Sequence, residues 1–186
     1  MKKLALSFLL LLSMSSFATT SNTDGRIGAS WGFFSLTGKA ADESTSVSGP
    51  TAFVFSYHKP FAPHWEINAG YSLLPADFSG SDIGYGFNLG LNYLLFHDWV
   101  QNTEKIKSVE ITTHRIWIPF VGFGFHQRSF QSIKNSFAGF GINGGTEKVL
   151  TKKTNLKIEA RYITLSGSSQ TTATEMDLLI GFVFKF

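Results

Sequence analysis

The sequence predicts an all-β fold, in which eight antiparallel strands close into an up-and-down transmembrane β-barrel. Large apolar residues recur at every second position over stretches of about ten residues, which is the period of a β-strand. The opposite face of most of these stretches carries Gly, Ser and Asn with only a few charges. Charged residues make up 16% of the chain, below the usual share in soluble domains, so part of the surface is predicted to lie out of water.

The first 18 residues are predicted to be a secretory signal peptide. Lys2 and Lys3 precede an apolar stretch over residues 4–14, and the small-residue cleavage pattern ends at Ala18. That stretch is shorter than the roughly 20 residues that a spanning helix needs, which favours cleavage over an anchor. Residues 19–186 would then form one barrel domain. The chain has no cysteine, which excludes disulfides, thiolate metal sites and an acylated cysteine.

Eight stretches of alternating residues predict the strands in order. The clearest is IGYGFNLGLNYLLF, where the large residues from Ile83 to Tyr93 share one face and Gly or Asn occupies the other. The last is EMDLLIGFVFKF, which ends on Phe186 with apolar residues at alternating positions before it. The predicted strands cover residues 26–36, 51–59, 65–74, 83–96, 115–127, 136–149, 156–165 and 175–186.

The connections between these strands alternate in character. Short turns are predicted at residues 60–64 and 151–155, and polar loops at residues 37–50, 75–82, 128–135 and 166–174. Such a chain forms an up-and-down antiparallel meander, with short turns at one end of the barrel and longer polar loops at the other. Residues 97–114 interrupt the scheme, because a short turn belongs there. Either the fifth strand begins early or this segment forms a small hairpin on the short-turn side, and the sequence leaves both open.

Alternation alone fits either a soluble β-sandwich or a membrane barrel. A sandwich buries its large apolar face and leaves the other face free to carry charge. Glycine weakens a solvated strand but suits the crowded interior of a narrow closed barrel. Strands of about ten tilted residues also match the thickness of a bilayer. We therefore expect the apolar faces to meet lipid, with candidate interfacial aromatic residues at Trp65, Tyr71, Tyr93, Trp117 and Tyr162.

The C-terminal part of the chain resembles a known family. PFVGFGFH at residues 119–126, GFGINGGTEKVLTKKTNLKIEARYITL at residues 139–165 and LLIGFVFKF at residues 178–186 carry the resemblance. They are similar to the small eight-stranded outer-membrane barrels of the OmpA transmembrane-domain, OmpX and opacity-porin type. The resemblance covers about residues 115–186, and its motifs specify a barrel rather than an activity.

The resemblance implies a location in the outer membrane of a Gram-negative bacterium. The implied partners are outer-membrane lipid, lipopolysaccharide and the outer-membrane assembly machinery. The family's assembly signal is a terminal Phe with apolar residues at alternating positions before it, which here are Ile180, Phe182, Phe184 and Phe186. No nucleic-acid partner is expected, because the net charge of +3 includes the two signal-peptide lysines and falls to +1 without them.

Strand parity places eight charged side chains on the inner face of the predicted barrel. Seven of them form the candidate site, and Lys185 is the eighth. Breaking a buried ion pair typically costs about 3–5 kcal/mol, so these charges need partners. Since side chains fill the interior of an eight-stranded barrel, we expect a structural network of ion pairs and not an open ion path. The seven are Arg26, Glu66, Glu147, Lys157, Glu159, Arg161 and Asp177.

No residue pattern predicts a catalytic, cofactor or metal site. His126 lies close in sequence to Ser129 and Ser132, but a catalytic serine also needs an acidic partner for its histidine. The deacylases of lipid A that share this scaffold carry His and Ser two residues apart on one strand face, and HQRS does not match. The other histidines show no metal-ligand spacing: His58, His64, His97 and His114. We expect no enzymatic activity.

These observations predict an integral outer-membrane protein with a structural or surface-interaction role and a lumen plugged by side chains. The polar loops are the candidates for surface contacts, because loops on rigid scaffolds commonly carry binding function. Their composition names no ligand. A lipid-modifying enzyme and a small channel remain the alternatives.

Overall fold

The computed structural model describes residues 25–40, 43–75, 83–95, 102–106, 109–113, 117–130, 136–151, 153–167 and 171–186. The predicted signal peptide at residues 1–18 lies outside these ranges. Within them, no helix has the length and apolar character needed to span a bilayer. The regular structure that they contain is β-strand.

The described strands are β1 (Arg26–Ala40), β2 (Glu43–Ala62), β3 (Trp65–Pro75), β4 (Ile83–Leu94), β5 (Asn102–Ile106), β6 (Val109–Thr113), β7 (Trp117–Phe130), β8 (Ser136–Val149), β9 (Thr154–Ser166) and β10 (Thr172–Lys185). Eight of them form one closed barrel in the order β1-β10-β9-β8-β7-β4-β3-β2, and every pairing is antiparallel. The ring closes where β10 pairs with β1, from Lys39 opposite Thr172 to Arg26 opposite Lys185. The predicted fold class is confirmed.

The segment between β4 and β7 forms the hairpin that was one of the two alternatives. β5 and β6 make a separate two-stranded sheet, with Asn102 opposite Thr113 and Ile106 opposite Val109. The described part of the next barrel strand starts at Trp117. The early start of the fifth barrel strand is therefore wrong, because residues 109–113 pair with β5 and not with the barrel.

The prediction of a loop over residues 37–50 is wrong. β1 continues to Ala40 and β2 begins at Glu43, and the two strands pair up to these ends. The register shifts between Gly32 and Phe34, so β2 contains one more residue than β1 there. Such a bulge breaks the alternation that predicts strands. Beyond it the outer positions are Ser and Thr with Lys39 as the last on β1, which gives a strand the composition of a loop.

The other three predicted loops and both predicted turns are also partly strand. Arg128–Phe130 belong to β7, Thr172–Thr174 to β10, and Pro75 and Ser166 to β3 and β9. At the turns, β2 continues to Ala62 and β9 begins at Thr154. The barrel thus has a turn end, with Gly25, Phe186 and the turns after β2 and β8, and a loop end, with the connections after β1, β3, β7 and β9. The strands reach further toward the loop end than the sequence predicts.

The outer face of the barrel carries a continuous apolar band. On β10 the outward positions are apolar from Met176 to Phe186 and change to threonine at Thr174 and Thr172. Ten residue steps at the rise and tilt of a barrel strand span about 25 Å along the barrel axis, the height of the apolar band of transmembrane barrels. The five predicted interfacial aromatic residues are all exposed on this face.

The interior of the barrel is as crowded as the glycine pattern predicts. A Cβ added at Gly122 would overlap the side-chain oxygens of Asn92 and Asn143, and one added at Gly86 would overlap Arg128. Glycine at these inward positions is therefore required by close packing against side chains of the adjacent strands in a narrow ring.

The interior is not polar throughout, because beside the buried charges it contains two apolar clusters, one at each end. The turn-end plug consists of Leu94, Ile118 and Phe120 with Val149 packed against them. The loop-end plug is a larger cluster of buried apolar side chains, and it includes residues of seven barrel strands. Its members are Phe34, Leu36, Ala52, Val54, Leu74, Phe130, Phe137, Ile163, Leu165, Ala173 and Leu179.

Leu89 and Asn88 provide a test of the two faces, because the first is 49% exposed and the second is buried inside. We expect Leu89→Arg to lower the free energy of unfolding by about 2–4 kcal/mol, since it puts a cation in the middle of the band predicted to lie in lipid. Asn88→Ser should change it little. The measurement is urea unfolding of the protein folded into phospholipid vesicles. Equal losses at both positions would contradict the assignment of faces.

Candidate functional site

The structure places all seven predicted charged residues inside the barrel. Each side chain is buried, and Arg161 is the most exposed of them at 8%. They come from strands β1, β3, β8, β9 and β10, so they reach the lumen from most sides of the ring. Six of them form a connected cluster, which we call the charge cluster: Arg26, Glu66, Glu147, Lys157, Glu159 and Arg161.

Arg26 ties together strands that are not neighbours. Its Nη2 donates to Glu66 Oε2 on β3, and its Nη1 donates to Glu147 Oε2 on β8 at 2.6 Å. Asn155 Nδ2 also donates to Glu147 Oε2, at 2.8 Å. Charge-assisted hydrogen bonds of this kind are stronger than neutral ones. The guanidinium of Arg26 therefore links β1 to β3 and β8 inside the lumen near the turn end.

The second half of the charge cluster lies on β9, where Lys157, Glu159 and Arg161 alternate along the inner face. Glu159 Oε2 accepts from Lys157 Nζ at 3.1 Å and from Arg161 Nη2 at 3.0 Å. Lys157 Nζ also lies 4.9 Å from the centre of the Phe120 ring, in the turn-end plug. This cation–π contact connects the charge cluster to the turn-end plug.

Two asparagines connect the halves of the cluster. Asn143 Nδ2 donates to Glu159 Oε1 at 2.9 Å and to Asn92 Oδ1 at 3.1 Å. Asn92 Nδ2 in turn donates to Glu66 Oε1 at 3.2 Å. A hydrogen-bond path therefore runs from Glu66 to Glu159 without a gap, so that the charge cluster is one network.

Asp177 lies inside the barrel but outside this network. It is opposite Arg161 in the register of β9 and β10. Its Oδ1 atom is buried and has no hydrogen-bond partner among the described residues. Lys185, the eighth predicted residue, is partly buried at the turn end.

A second buried ion pair, Arg128 with Glu175, was not predicted from the sequence. Arg128 Nε lies 3.0 and 2.9 Å from the two carboxylate oxygens of Glu175, and Nη2 donates to Oε1 at 2.7 Å. Both side chains are 0% exposed. The available signal was parity, because Glu175 shares the face of Asp177. Arg128 was assigned to a loop, so its face was not considered.

The buried charges are close to balanced. Among the described residues, the lumen contains the basic side chains Arg26, Arg128, Lys157 and Arg161, with Lys185 partly buried. Against them stand five buried acidic side chains: Glu66, Glu147, Glu159, Glu175 and Asp177. A balanced interior offers no single-sign field to draw in ions.

A small cavity remains at the middle of the lumen. Asn68, Asn88, His126, Asn143 and Arg161 are among the residues that line it, and its volume is about 10 Å³. That is room for about one water molecule. Asn88 Oδ1, His126 Nδ1 and Arg161 Nη1 have no hydrogen-bond partner among the described residues, so a water here would have polar groups to bind. The cavity is too small for a hydrated ion.

Two further lumen side chains, Ser56 and His58, form with Glu66 the order of a catalytic triad. His58 Nδ1 lies 2.9 Å from Glu66 Oε1, and His58 Nε2 lies 2.8 Å from Ser56 Oγ. Since a carboxylate only accepts, Nδ1 carries the proton, and in the neutral ring Nε2 accepts from the serine hydroxyl. Ser56 and His58 are two residues apart on one strand face, a signal that the sequence analysis tested only at HQRS.

The trio lacks two parts of a hydrolytic site: a side open to a lipid substrate and free donors for an oxyanion. All three residues face the lumen, not the lipid, and β2 pairs with both β1 and β3 at Ser56. Backbone N–H groups there belong to the ladder and are not free to stabilise an oxyanion. Glu66 is also held by Arg26.

The remaining histidines form no common site. His126 faces the lumen, whereas Ser129 lies three residues along the strand and so on its other face. His64 stacks on Tyr93 outside the barrel, with ring centres 5.5 Å apart. Ser132, His97 and His114 lie outside the described residues. No group of three or more potential metal ligands occurs within the described ranges.

The four residues of the predicted assembly signal lie on the outer face of β10. Ile180, Phe184 and Phe186 are exposed by 38%, 48% and 62%, and Phe182 packs against Trp31 of β1 with ring centres 6.3 Å apart. These side chains therefore flank the seam where the last strand meets the first.

The ion pair between Arg128 and Glu175 allows a sharp test of the lumen charges. We expect Arg128→Met to lower the free energy of unfolding by about 3–5 kcal/mol, because Glu175 is left buried without its counter-charge. The double variant with Glu175→Leu should recover most of the loss, since apolar residues of similar volume often replace a buried pair at little cost. Urea unfolding in vesicles measures both.

The exposed Lys39 supplies the control for this test. Lys39→Met removes a cation from the outer surface of β1 and should change stability by less than about 0.5 kcal/mol. A double variant that is no more stable than Arg128→Met would show that the loss comes from the arginine's packing and not from the stranded carboxylate.

Comparison with known proteins adds the family to this geometry. The family model described as outer membrane protein beta-barrel domain matches residues 4–186. A search of curated proteins found no match. Neisserial surface protein A has a similar structure, with a TM-score of 0.59, 13% identity, and coverage of 87% of this chain and 97% of that chain.

Two structures from Pseudomonas aeruginosa are also similar. The outer membrane protein OprG has a TM-score of 0.53 and 13% identity, over 88% of this chain and 96% of that chain. The N-terminal β-barrel domain of OprF has a TM-score of 0.53 and 12% identity, over 89% of this chain and all of that chain. At these identities the likeness concerns the fold alone. The family match spans nearly the whole sequence and agrees with the closed eight-stranded ring, and the chain belongs to the outer membrane protein β-barrel domain family of the bacterial outer membrane.

Proposed function

We propose that this protein is a structural and surface-presenting component of the outer membrane, with a lumen sealed by its own side chains. The observation that carries the proposal is the filling of the interior. An apolar plug lies at each end, and the paired charges and a cavity of about 10 Å³ lie between them. Ions do not pass through such an interior, because they would have to shed water against apolar side chains at both ends.

The part of the barrel beyond the apolar band supports a role at the cell surface. β1 and β2 continue together to Ala40 and Glu43, five residues past the outward Ser35 that lies opposite Met176. Those residues extend about 13 Å further along the axis of a tilted barrel. Hydroxyl groups face outward here, and Thr37 Oγ1 lies 3.1 Å from Ser46 Oγ. A rigid ribbon of this kind can present contacts to molecules outside the cell.

Export and assembly follow from the two ends of the sequence. In this proposal, residues 1–18 direct export and are removed after Ala18, which leaves residues 19–186 as the barrel. Ile180, Phe182, Phe184 and Phe186 form the signal that the outer-membrane assembly machinery reads. The support is the exposed row of apolar side chains next to the β1–β10 seam. The apolar band contacts membrane lipid, and the loop end meets lipopolysaccharide.

The sealed lumen predicts the result of planar-bilayer recording. The purified protein should give no discrete conductance steps. The matched comparison is a variant with both plugs reduced: Phe130→Ala and Phe137→Ala at the loop end, with Leu94→Ala and Phe120→Ala at the turn end. Both proteins are first checked for folding by gel mobility with and without boiling. Regular steps in the unaltered protein would overturn the sealed-lumen proposal in favour of a small channel.

A serine hydrolase is the second candidate, because Ser56, His58 and Glu66 have triad distances. We expect no reaction of the folded protein with a fluorophosphonate probe, since the trio faces a filled lumen and lacks oxyanion donors. The measurement is mass spectrometry of the labelled chain. The control is Ser30→Ala, another inward serine, beside Ser56→Ala. Labelling that Ser56→Ala abolishes and Ser30→Ala retains, or an altered lipid A acyl pattern in expressing cells, would establish the enzyme instead.

A further inference from the structure

The outer face of β8, β9 and β10 contains a groove that the barrel fold does not require. Its floor is Gly144 on β8 and Ala160 on β9, which are partners in the strand register. Ile142, Tyr162, Met176 and Leu178 rise around it. The groove has a volume of about 550 Å³, within the range of small-molecule sites. It lies in the apolar band, where the other outward positions are mostly large.

Gly144 has no reason inside the barrel to be glycine. A Cβ added there would meet nothing closer than 3.7 Å, whereas one added at the neighbouring Gly145 would overlap the backbone of β9. The missing side chain at Gly144 therefore serves only to leave the outer surface open. Its surroundings show the same gap, because Ile142 and Leu178 are 65% and 61% exposed.

The turn end of the same face carries positive charge. Lys148 Nζ lies 5.4 Å from the centre of the Trp117 ring, a cation–π contact that holds the ammonium at the edge of the apolar band. Lys153 is exposed in the turn that follows β8. Among the described outward residues of β8, β9 and β10 there is no acidic side chain. The turn-end edge of this outer face, next to the groove, therefore attracts an anion.

The distance between Lys148 and the groove matches the size of one lipid molecule. Lys148 and Gly144 lie on the same face of β8, four residue steps apart, which is about 10 Å along the axis of a tilted barrel. One leaflet of hydrocarbon is about 15 Å thick. A phosphate at Lys148 therefore leaves an acyl chain at the depth of Gly144. The turn end is the periplasmic side, since short turns of outer-membrane barrels lie there.

We propose that this groove binds one anionic phospholipid of the periplasmic leaflet. The phosphate lies against Lys148 beside Trp117, and an acyl chain lies over Gly144 and Ala160 between Ile142 and Leu178. This lipid fills the gap in the apolar band that the small residues leave. The site is separate from the lumen and from the loop end, so it adds a ligand to the proposed structural role.

The test is native mass spectrometry of the mature protein in detergent, with phosphatidylglycerol or phosphatidylcholine added. The expected result is one retained phosphatidylglycerol and weaker retention of phosphatidylcholine. Lys148→Gln should weaken phosphatidylglycerol binding about fivefold, the value of one surface lysine facing an anionic lipid. Gly144→Phe should weaken binding of both lipids about tenfold or more, because its ring occupies the place of two or more methylene groups.

Two variants elsewhere on the outer face are the matched controls. Lys59→Gln removes an exposed cation from β2, and Ala69→Phe adds the same ring on β3, away from the groove. Both should retain lipid as the unaltered protein does. Gel mobility with and without boiling shows that each variant is folded, and the open space at Gly144 predicts that Gly144→Phe folds.

Three outcomes would overturn the proposal. One is unaltered phosphatidylglycerol retention by Gly144→Phe. Another is an equal loss in Ala69→Phe, which would mean that lipid binds the band without a site. The third is a dimer that Gly144→Phe dissociates without change in lipid retention, since the groove would then be occupied by a second copy of the chain.

Discussion

The pairing of β10 with β1 is the constraint on which the rest of this structure depends. In hydrocarbon each unpaired backbone group costs several kcal/mol, so a sheet that spans a membrane cannot keep an open edge. Fourteen residue pairs join the last strand to the first, from Lys39 with Thr172 to Arg26 with Lys185. The apolar residues at the C-terminus flank this seam, which explains why the chain ends on an exposed row of aromatic side chains.

Closure with eight strands determines what the interior can contain. The ring is narrow, so inward side chains crowd one another, and glycines such as Gly122 and Gly86 make room for side chains of the adjacent strands. Charges in such a place must be paired, because an unpaired buried charge costs several kcal/mol. Arg26 meets two carboxylates from two other strands, and Arg128 meets both oxygens of Glu175. The same side chains that stabilise the ring also fill its lumen.

The facing of side chains could be predicted from the sequence because it follows from a period of two, and the strand order because consecutive strands of a meander are neighbours. The contacts across the ring could not, because parity gives the face of a residue but not its height along a tilted strand. Arg26 with Glu147 is therefore known only from the structure, whereas the spacing of Ser56 and His58 on one face of β2 was present in the sequence. The bulge near Gly32 interrupts the alternation at the start of β2, so that this part of the strand was not predicted. The apolar plugs were not predicted either, because their inward positions carry apolar residues where alternation would place polar ones.

The inner and outer faces of the barrel are therefore under different constraints. Each inward position is fixed by its neighbours across the ring, so a change there is first a change in stability. The outward positions of the apolar band have no neighbour across the ring, so apolar side chains of different shape there are compatible with closure. A small residue such as Gly144, which nothing inside the barrel requires, is for that reason a stronger sign of a ligand than the charges of the lumen. In this barrel the triad-like trio at His58 packs inside the lumen, and the proposed lipid contact lies on the outer surface.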